Sequence, residues 1–207
     1  ERDPLAALTA RANLAASGFA ERSEVRVEDF LTSNLEGADG RTLFIGNPPY
    51  VRHHQIPAEC KAWLKNQAAS MGLRASALAG LHVYFFLAIA RRAKAGDYGA
   101  FITASEWMDV NYGQLLRDLF LDRLGGQSIY VIEPKAEPFP RTATTGAIMS
   151  FTVSEKPTSA RFARVAKLSA LGDLSGGHPV RRERLAAEKR WSRFTRLCRA
   201  RRTLPRS

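Results

Sequence analysis

The sequence predicts an α/β fold built on a mostly parallel sheet, and two observations support this. Short apolar segments that suit strands alternate along the chain with longer segments that look helical, which is typical of a parallel sheet covered by helices. One apolar segment, residues 43–45, ends at Gly46 and is followed directly by Asn47-Pro48-Pro49-Tyr50. Because open α/β sheets bind ligands at the carboxyl ends of parallel strands, this loop lies where such a fold carries its chemistry.

Four segments of the chain are predicted to be helices. Residues 4–16 have Pro4 in the first turn, where its missing N–H is tolerated, and Asp3 stands before them as the expected N-cap. The other three helical segments are residues 57–71, 78–95 and 111–124.

Strand signals are short apolar runs bounded by turn residues. Residues 43–45 are expected to form a buried parallel strand, and residues 128–132 and 146–153 an antiparallel pair at the sheet edge. In chain order, the predicted strands cover residues 25–27, 43–45, 100–103, 128–132, 146–153 and 161–165.

Composition favours a single globular domain with a polyanionic partner. The chain has 207 residues, of which 45% are hydrophobic, and a net charge of +11; nucleic acid is the first candidate partner for such a charge. Arginine dominates after residue 180, however, and a basic end is often only a solvated tail. Neither the two cysteines, Cys60 and Cys198, nor the His53-His54 pair predicts a metal site. No signal peptide and no apolar run of about 18 residues is present, so we expect a cytoplasmic protein without a membrane partner.

The loop Asn47-Pro48-Pro49-Tyr50 suits the methylation of a planar exocyclic amine. Two successive prolines fix the backbone and remove two N–H donors, so the loop is stiff. The Asn47 side-chain oxygen and the Pro48 carbonyl can accept the two N–H groups of the amine, which exposes the nitrogen lone pair, while Tyr50 stacks on the ring. Such positioning lowers a reaction barrier without an ionised base. A rigid Pro-Pro turn after a strand is the plain structural alternative.

The wider sequence around this loop resembles one enzyme family. Asn-Pro-Pro-Tyr-Val-Arg at 47–52, with the segments 96–103 and 112–117, is similar to the N6-adenine DNA methyltransferases of type II and type IIG restriction–modification systems, which use S-adenosylmethionine. The resemblance covers about residues 1–155. Enzymes that methylate protein glutamine or RNA guanine share Asn-Pro-Pro-Tyr, so they remain alternatives, as does an inactive remnant with only nonspecific nucleic-acid binding.

The resemblance implies a Rossmann-like methyltransferase sheet, mostly parallel with an antiparallel edge strand and truncated at the N-terminus. It implies S-adenosylmethionine as cofactor, double-stranded DNA as partner, and a restriction endonuclease or specificity module of the same system as a further partner. The family's first glycine-rich turn is not found in this sequence. Residues 1–155 are therefore expected to be a partial catalytic domain. Residues 156–207 are expected to be a basic extension, either the start of a target-recognition region or disordered.

The resemblance also assigns cofactor-binding residues. Glu1 matches the carboxylate that accepts hydrogen bonds from the ribose hydroxyls, and a carboxylate can accept both. Asp29 matches the residue beside the adenine ring of the cofactor, and Phe30 packs against that ring. Asn47, in the catalytic loop, is expected to lie at the cofactor as well. An ordinary turn is the structural alternative for Asp29, and a place in the core for Phe30.

The last group of expected roles concerns the target base. A base in a duplex must be flipped out before its amine can react, and the resemblance places the flipped adenine between Tyr50 and Phe139. Stacking on aromatic side chains contributes about 1–3 kcal/mol per base. Arg52, His53 and His54 follow the catalytic loop and can meet the DNA backbone.

Overall fold

The computed structural model describes residues 1–33, 39–136, 145–172 and 177–195. The chain forms two compact units, Glu1–Ala38 and Asp39–Ser207. Among the described residues, the first unit contains one α-helix, and the second contains a six-stranded sheet with four α-helices. No helix in these described ranges is long and apolar enough to cross a membrane.

The first unit is organised around α1 (Pro4–Ala16), with the bounds that the sequence predicts. Asp3 is its N-cap, since its side chain accepts a hydrogen bond from the Leu5 backbone N–H at 2.8 Å. The predicted strand at residues 25–27 is wrong, because these residues have no regular structure. Glu1 forms two backbone hydrogen bonds here, since its terminal amine donates to the Arg26 carbonyl and its carbonyl accepts from the Glu28 N–H, while the Arg11 side chain donates to the Val25 carbonyl. One paired residue does not make a strand.

The sheet of the second unit has the strand order β1-β2-β4-β3-β5-β6. Four strands, β1, β2, β3 and β5, run in one direction, while β4 and β6 run in the other. The mostly parallel sheet with an antiparallel edge strand is therefore confirmed, with β6 as that edge strand. The six strands are β1 (Leu43–Gly46), β2 (Tyr98–Ala104), β3 (Gly126–Ile132), β4 (Gly146–Thr152), β5 (Ser159–Val165) and β6 (His178–Arg181).

Two details of the sheet differ from the prediction. The antiparallel pair β3–β4 forms, but it does not lie at the edge, because β4 is inserted between β2 and β3 and the sheet continues beyond β3. The strand β1 is parallel to β2 but not buried: Leu43 is 61% exposed and Ile45 is 75% exposed. Within the described part of the chain, β1 is the outermost strand on its side, which explains the exposure.

Helices α3 and α4 cover one face of the sheet. Phe86 of α3 packs edge-on against Phe101 of β2, and the buried Phe120 of α4 lies over Gly126 at the start of β3. Helix α3 begins later than predicted because Gly80 takes an extended conformation as its N-cap. The helices of this unit are α2 (Ala58–Ser70), α3 (Leu81–Arg92), α4 (Gln114–Leu121) and α5 (Arg182–Ala187).

The part of the chain predicted to be a basic extension contributes to the same sheet. It supplies β5, β6 and α5, and its apolar side chains Val180, Leu185, Trp191 and Phe194 are buried. The sequence analysis did not predict β6 or α5. The functional division of the chain at residue 155 remains a prediction.

Candidate active site

The loop of residues 47–50, which is predicted to be catalytic and is called the catalytic loop below, begins where β1 ends. Gly46, the last residue of β1, is level with Phe101 of the parallel neighbour β2. A Cβ atom at Gly46 would lie 3.0 Å from a carbon of the Phe101 ring, so a glycine lets the chain leave the strand close to that ring. The loop therefore lies at the carboxyl edge of the sheet, as the sequence predicts.

Two side chains of the loop are joined directly. The Tyr50 hydroxyl donates a hydrogen bond of 2.7 Å to the Asn47 side-chain oxygen, which fixes the direction of that oxygen. An amide oxygen has two lone pairs, so one acceptor position remains for another donor. Tyr50 is 43% exposed, and partial burial raises the pKa of its hydroxyl, which keeps it a donor. Asn47 is exposed and Pro48 is buried.

The start of α3 supports the catalytic loop from behind. The Leu81 N–H donates to the Val51 carbonyl at 3.0 Å. A Cβ atom at Gly80 would lie 3.4 Å from the same carbonyl and 3.0 Å from the His82 ring. His82 is only 9% exposed, and burial lowers its pKa to about 4. A neutral imidazole therefore lies behind the loop at ordinary pH.

A second loop, residues 105–113, leaves the same edge of the sheet at the end of β2, and we call it the β2 loop. The Arg117 side chain, 3% exposed, holds it by donating to the carbonyls of Trp107 at 2.6 Å and Val110 at 3.0 Å. A Cβ atom at Gly113 would lie 2.0 Å from the Trp107 carbonyl oxygen. Only glycine fits this close approach.

The chain beyond α5 fixes the β2 loop from the other side. The Trp191 N–H donates to the Met108 carbonyl at 3.0 Å, and the Ser192 N–H donates to the Asp109 carboxylate at 3.0 Å. The buried Trp191 ring also packs edge-on against Trp107. The sequence analysis did not predict this anchoring. Its one visible signal is a tryptophan in an otherwise basic stretch.

In the first unit, two predicted cofactor residues line one open cavity. Its volume is about 360 Å³, and Glu1, Arg26, Glu28 and Phe30 are among its lining residues. The Glu1 carboxylate also accepts hydrogen bonds from the Arg2 and Asp3 backbone N–H groups, with the Asp3 contact the larger cause, and these lower its pKa. The cavity thus joins an ionised carboxylate with an aromatic ring.

Asp29 does not line this cavity and forms a turn instead. Its carboxylate accepts the Leu31 N–H at 2.9 Å, and its carbonyl accepts the Ser33 N–H at 2.8 Å. The other carboxylate oxygen lies 3.7 Å from the Arg2 guanidinium, which is exposed. Asp29 therefore forms the ordinary turn that was its structural alternative, whereas its expected cofactor role stays a prediction. Phe139, the expected stacking partner of Tyr50, lies outside the described residues.

Two solved structures of restriction–modification proteins have a similar fold. A solved structure of a type I restriction–modification system matches 90% of this chain and 36% of its own, with a TM-score of 0.58 and 14% identity. The M protein of the type I restriction enzyme EcoKI matches 74% of this chain and 30% of its own, with a TM-score of 0.50 and 18% identity. At these low identities the two likenesses show a shared fold.

The chain belongs to the Eco57I restriction-modification methylase family, whose model matches residues 12–136. It is 53% identical over 192 residues to the type II methyltransferase M.XamI of Xanthomonas campestris pv. amaranthicola, a match that covers 93% of this chain and 36% of that protein. The chain thus spans about a third of the length of this relative. The resemblance stated from the sequence is confirmed at the level of the family.

Proposed function

We propose that this chain carries the catalytic loop of a DNA methyltransferase that transfers a methyl group to the N6 amine of adenine. The observation that supports this most is the Asn-Pro-Pro-Tyr loop at the carboxyl end of β1, in a member of a restriction–modification methylase family. The type II methyltransferase that shares 53% identity with the chain supports DNA as the substrate.

The proposed work of the loop is to hold and activate the target amine. The remaining lone pair of the Asn47 oxygen and the Pro48 carbonyl accept the two N–H groups of the amine. These hydrogen bonds draw the nitrogen toward tetrahedral geometry, so its lone pair becomes available for attack. A bound methyl donor would supply the methyl group to this lone pair and keep the electron pair of the broken carbon–sulfur bond, and the nitrogen would lose a proton. Tyr50 stacks on the base, with Phe139 as its proposed partner on the other face.

The proposed cofactor is S-adenosylmethionine, which supplies an electrophilic methyl group on a positively charged sulfur. The cavity of the first unit fits the adenosine half of this molecule, since Glu1 offers a carboxylate for the ribose hydroxyls and Phe30 an aromatic face. Asp29 does not line the cavity, and it is proposed to accept from the adenine amine with its second carboxylate oxygen, which lies 3.7 Å from the exposed Arg2 guanidinium. Asn47 is proposed as a further cofactor-binding residue. The reaction needs no metal ion.

The proposed macromolecular partner is double-stranded DNA. A restriction endonuclease or a specificity module of the same system is the further partner expected for this family. A flipped adenine is the form of the substrate that the exposed catalytic loop can accept, because a stacked base hides its amine within the duplex.

The first experiment is a calorimetric titration of the purified chain with S-adenosylmethionine. Saturable binding that is lost in Glu1→Ala but kept in Asn47→Ala is the expected result. The matched control is Glu21→Ala, which changes an exposed carboxylate of the same unit that does not line the cavity. Binding that is unchanged in Glu1→Ala would remove the proposed cofactor role of that residue.

The second experiment identifies the methylated atom. The chain is incubated with labelled cofactor and adenine-containing duplex DNA, and the digested nucleosides are separated by mass spectrometry. N6-methyl-2′-deoxyadenosine is expected from the wild type, and none is expected from Asn47→Ala. A label on protein glutamine, on RNA guanine or on cytosine would contradict the proposal, and so would a folded chain that transfers no label at all.

A further inference from the structure

Three charged side chains lie together at the carboxyl edge of the sheet, several strands away from the catalytic loop. Glu133 directly follows β3, and its carboxylate lies 2.9 Å from the Lys135 ammonium and 3.9 Å from the Arg164 guanidinium. Strands β3 and β5 are parallel neighbours, with Ile132 level with Val165. We call Glu133, Lys135 and Arg164 the edge cluster. It contains two cations and one carboxylate.

The edge cluster and the catalytic loop share one edge of the sheet. Strands β1, β2, β3 and β5 run in the same direction, so the residues that follow them leave the sheet on the same side. In the strand order, β3 is the third strand after β1 and β5 is the fourth. With about 4.8 Å between adjacent strands, the edge cluster lies roughly 14–19 Å from the catalytic loop along this edge. At about 3.4 Å per base pair, this distance corresponds to about four to six base pairs of a DNA duplex.

The cations of the edge cluster reach the surface. The Lys135 side chain is 72% exposed, and that of Arg164 is 35% exposed. A second nitrogen of Arg164 donates to the Thr195 hydroxyl at 3.2 Å, which ties the guanidinium to the chain beyond α5. An exposed ion pair contributes little to stability. Lys135 can therefore exchange the Glu133 carboxylate for another anion while the fold stays intact.

We propose that Lys135 and Arg164 bind the sugar–phosphate backbone of the duplex, about four to six base pairs away from the adenine in the catalytic loop. The duplex then runs along the carboxyl edge of the sheet, from β1 towards β5. Glu133 holds the two cations near each other in the free protein, and phosphate oxygens replace its carboxylate as the acceptor for Lys135 when DNA binds. This inference rests on the proposed function, because it assumes that DNA is the substrate.

The chemistry of the edge cluster favours a phosphate over a base edge. An ammonium and a guanidinium are donors only, and phosphate oxygens are acceptors only. Contacts with phosphate and sugar fix the register of a duplex without reading its sequence. A contact several base pairs away from the catalytic loop holds the duplex in place while one adenine is flipped out of it. The contribution of the edge cluster to affinity is therefore expected to be the same for every flanking sequence.

The probe is a fluorescent DNA duplex with one adenine opposite an abasic site. An unpaired base is the easiest to flip, so this adenine sets the register of the bound duplex. Binding is measured by anisotropy at several salt concentrations. Lys135→Gln is expected to weaken binding about fivefold and to reduce the slope of log affinity against log salt by about 0.9, the value for one lost phosphate contact.

The matched control is Lys156→Gln. Lys156 is 68% exposed and lies 2.9 Å from the Asp122 carboxylate, much as Lys135 lies beside Glu133. It follows β4, which ends at Thr152 level with the first residue of β2, so it lies at the opposite edge of the sheet. Lys156→Gln is expected to leave the affinity and the salt slope unchanged.

A neutral backbone locates the contact on the duplex. One phosphate at a time is replaced by a methylphosphonate, on either side of the unpaired adenine. Replacement about four to six base pairs away on one side is expected to weaken wild-type binding as much as Lys135→Gln does, and to weaken binding by the variant no further. Replacement at the same distance on the other side is expected to have no effect.

Two further variants separate the roles of the other side chains. Glu133→Gln removes the negative charge and is expected to tighten binding about twofold, because its repulsion of the phosphate is lost. Arg164→Gln is expected to weaken binding and to reduce the salt slope by about 0.9. Urea unfolding of this variant verifies that it is folded, since Arg164 also bonds to Thr195.

Equal salt slopes for Lys135→Gln, Lys156→Gln and the wild type would overturn the phosphate contact, even if methyl transfer were intact. A methylphosphonate effect confined to the phosphates next to the adenine would overturn the place of the contact. Weaker binding by Glu133→Gln would overturn the role of Glu133. A chain that binds DNA in the expected way but transfers no methyl group would instead count against the proposed function. Absence of any DNA binding by the folded chain would overturn both.

Discussion

The catalytic loop and the β2 loop leave the same edge of the sheet but are held in place by different means. The catalytic loop is stiffened by its own sequence, since Pro48 and Pro49 fix the backbone, and the Leu81 N–H supports it at Val51. The β2 loop contains no proline, and its shape depends on residues outside it, Arg117 of the following helix and Trp191 much later in the chain. Local chemistry thus fixes one side of the site and tertiary contacts fix the other.

This difference predicts how each loop responds to change. Substitutions in the anchors of the β2 loop are expected to lower the free energy of unfolding, because those anchors belong to the core. Substitutions of Asn47 and Tyr50 in the catalytic loop are expected to spare stability and remove activity, because these side chains are exposed.

The largest effect is expected for Trp191→Ala. The ring is 1% exposed and packs against Trp107, Phe120 and Phe162, and replacing a buried tryptophan by alanine typically costs about 3–5 kcal/mol. Urea unfolding measures the loss. Trp191→Phe is the matched control and is expected to lose less than half as much. A loss below 1 kcal/mol, on the order of a surface substitution, would show that the residues after α5 do not anchor the β2 loop.

The next effect is a pH dependence of the free energy of unfolding, and it is assigned to His82, which lies behind the catalytic loop. The pKa of the buried His82 is lowered to about 4 from 6.5, so the folded chain keeps the ring neutral while the unfolded chain takes up a proton below pH 6.5. The free energy of unfolding is therefore expected to fall as the pH drops from 6.5 to 4, by about 3 kcal/mol at most.

Urea unfolding of the wild type and of His82→Gln at pH 7, 5.5 and 4 tests this expectation. The variant is expected to lose less stability over the same range, because glutamine does not titrate. Equal pH dependence in the two proteins would show that His82 is not the group responsible. The Arg117 anchor of the β2 loop provides the contrast, since a guanidinium remains charged throughout this range.

A paired glycine substitution compares the two loops directly. A Cβ atom at Gly113 would lie 2.0 Å from the Trp107 carbonyl, which Arg117 holds in place, whereas a Cβ atom at Gly46 would lie 3.0 Å from a Phe101 ring atom that can shift. Gly113→Ala is expected to cost about 2–3 kcal/mol and Gly46→Ala about 1 kcal/mol or less. The midpoints of urea unfolding measure both. Equal losses would contradict the difference in rigidity between the loops.

The sequence predicted those helix bounds and loop positions that depend on residues close together in the chain. The bounds of α1 follow from Asp3 and Pro4, and α2 lies within one residue of the predicted helix 57–71 at each end. The position of the Asn47–Tyr50 loop at the end of a parallel strand was also predictable, because an apolar run followed by two prolines allows few other structures.

Features that depend on distant partners were not predictable in this way. Ile45 is exposed and β4 lies inside the sheet because of the strands that lie next to them. No single segment of the sequence specifies that strand order. Trp191 lies in an arginine-rich part of the sequence, so the burial of its side chain was not predicted. Residues 25–27 have strand-like composition, yet their partners include the amine of Glu1 and the side chain of Arg11, and they form no strand.

The smallest effect on stability, with the largest expected effect on activity, belongs to Asn47→Ala. Its side chain is exposed, and the hydrogen bond it receives from Tyr50 lies at the surface, so the free energy of unfolding is expected to change by about 0.5 kcal/mol or less. Methyl transfer is expected to fall by about a hundredfold or more, because the acceptor that orients the amine is lost. Tyr50→Phe is the matched variant, since it frees the Asn47 oxygen but keeps the ring, and a smaller loss of rate is expected. An Asn47→Ala chain that unfolds more easily by about 1.5 kcal/mol would instead make this side chain structural, and the contrast between the two loops would fail.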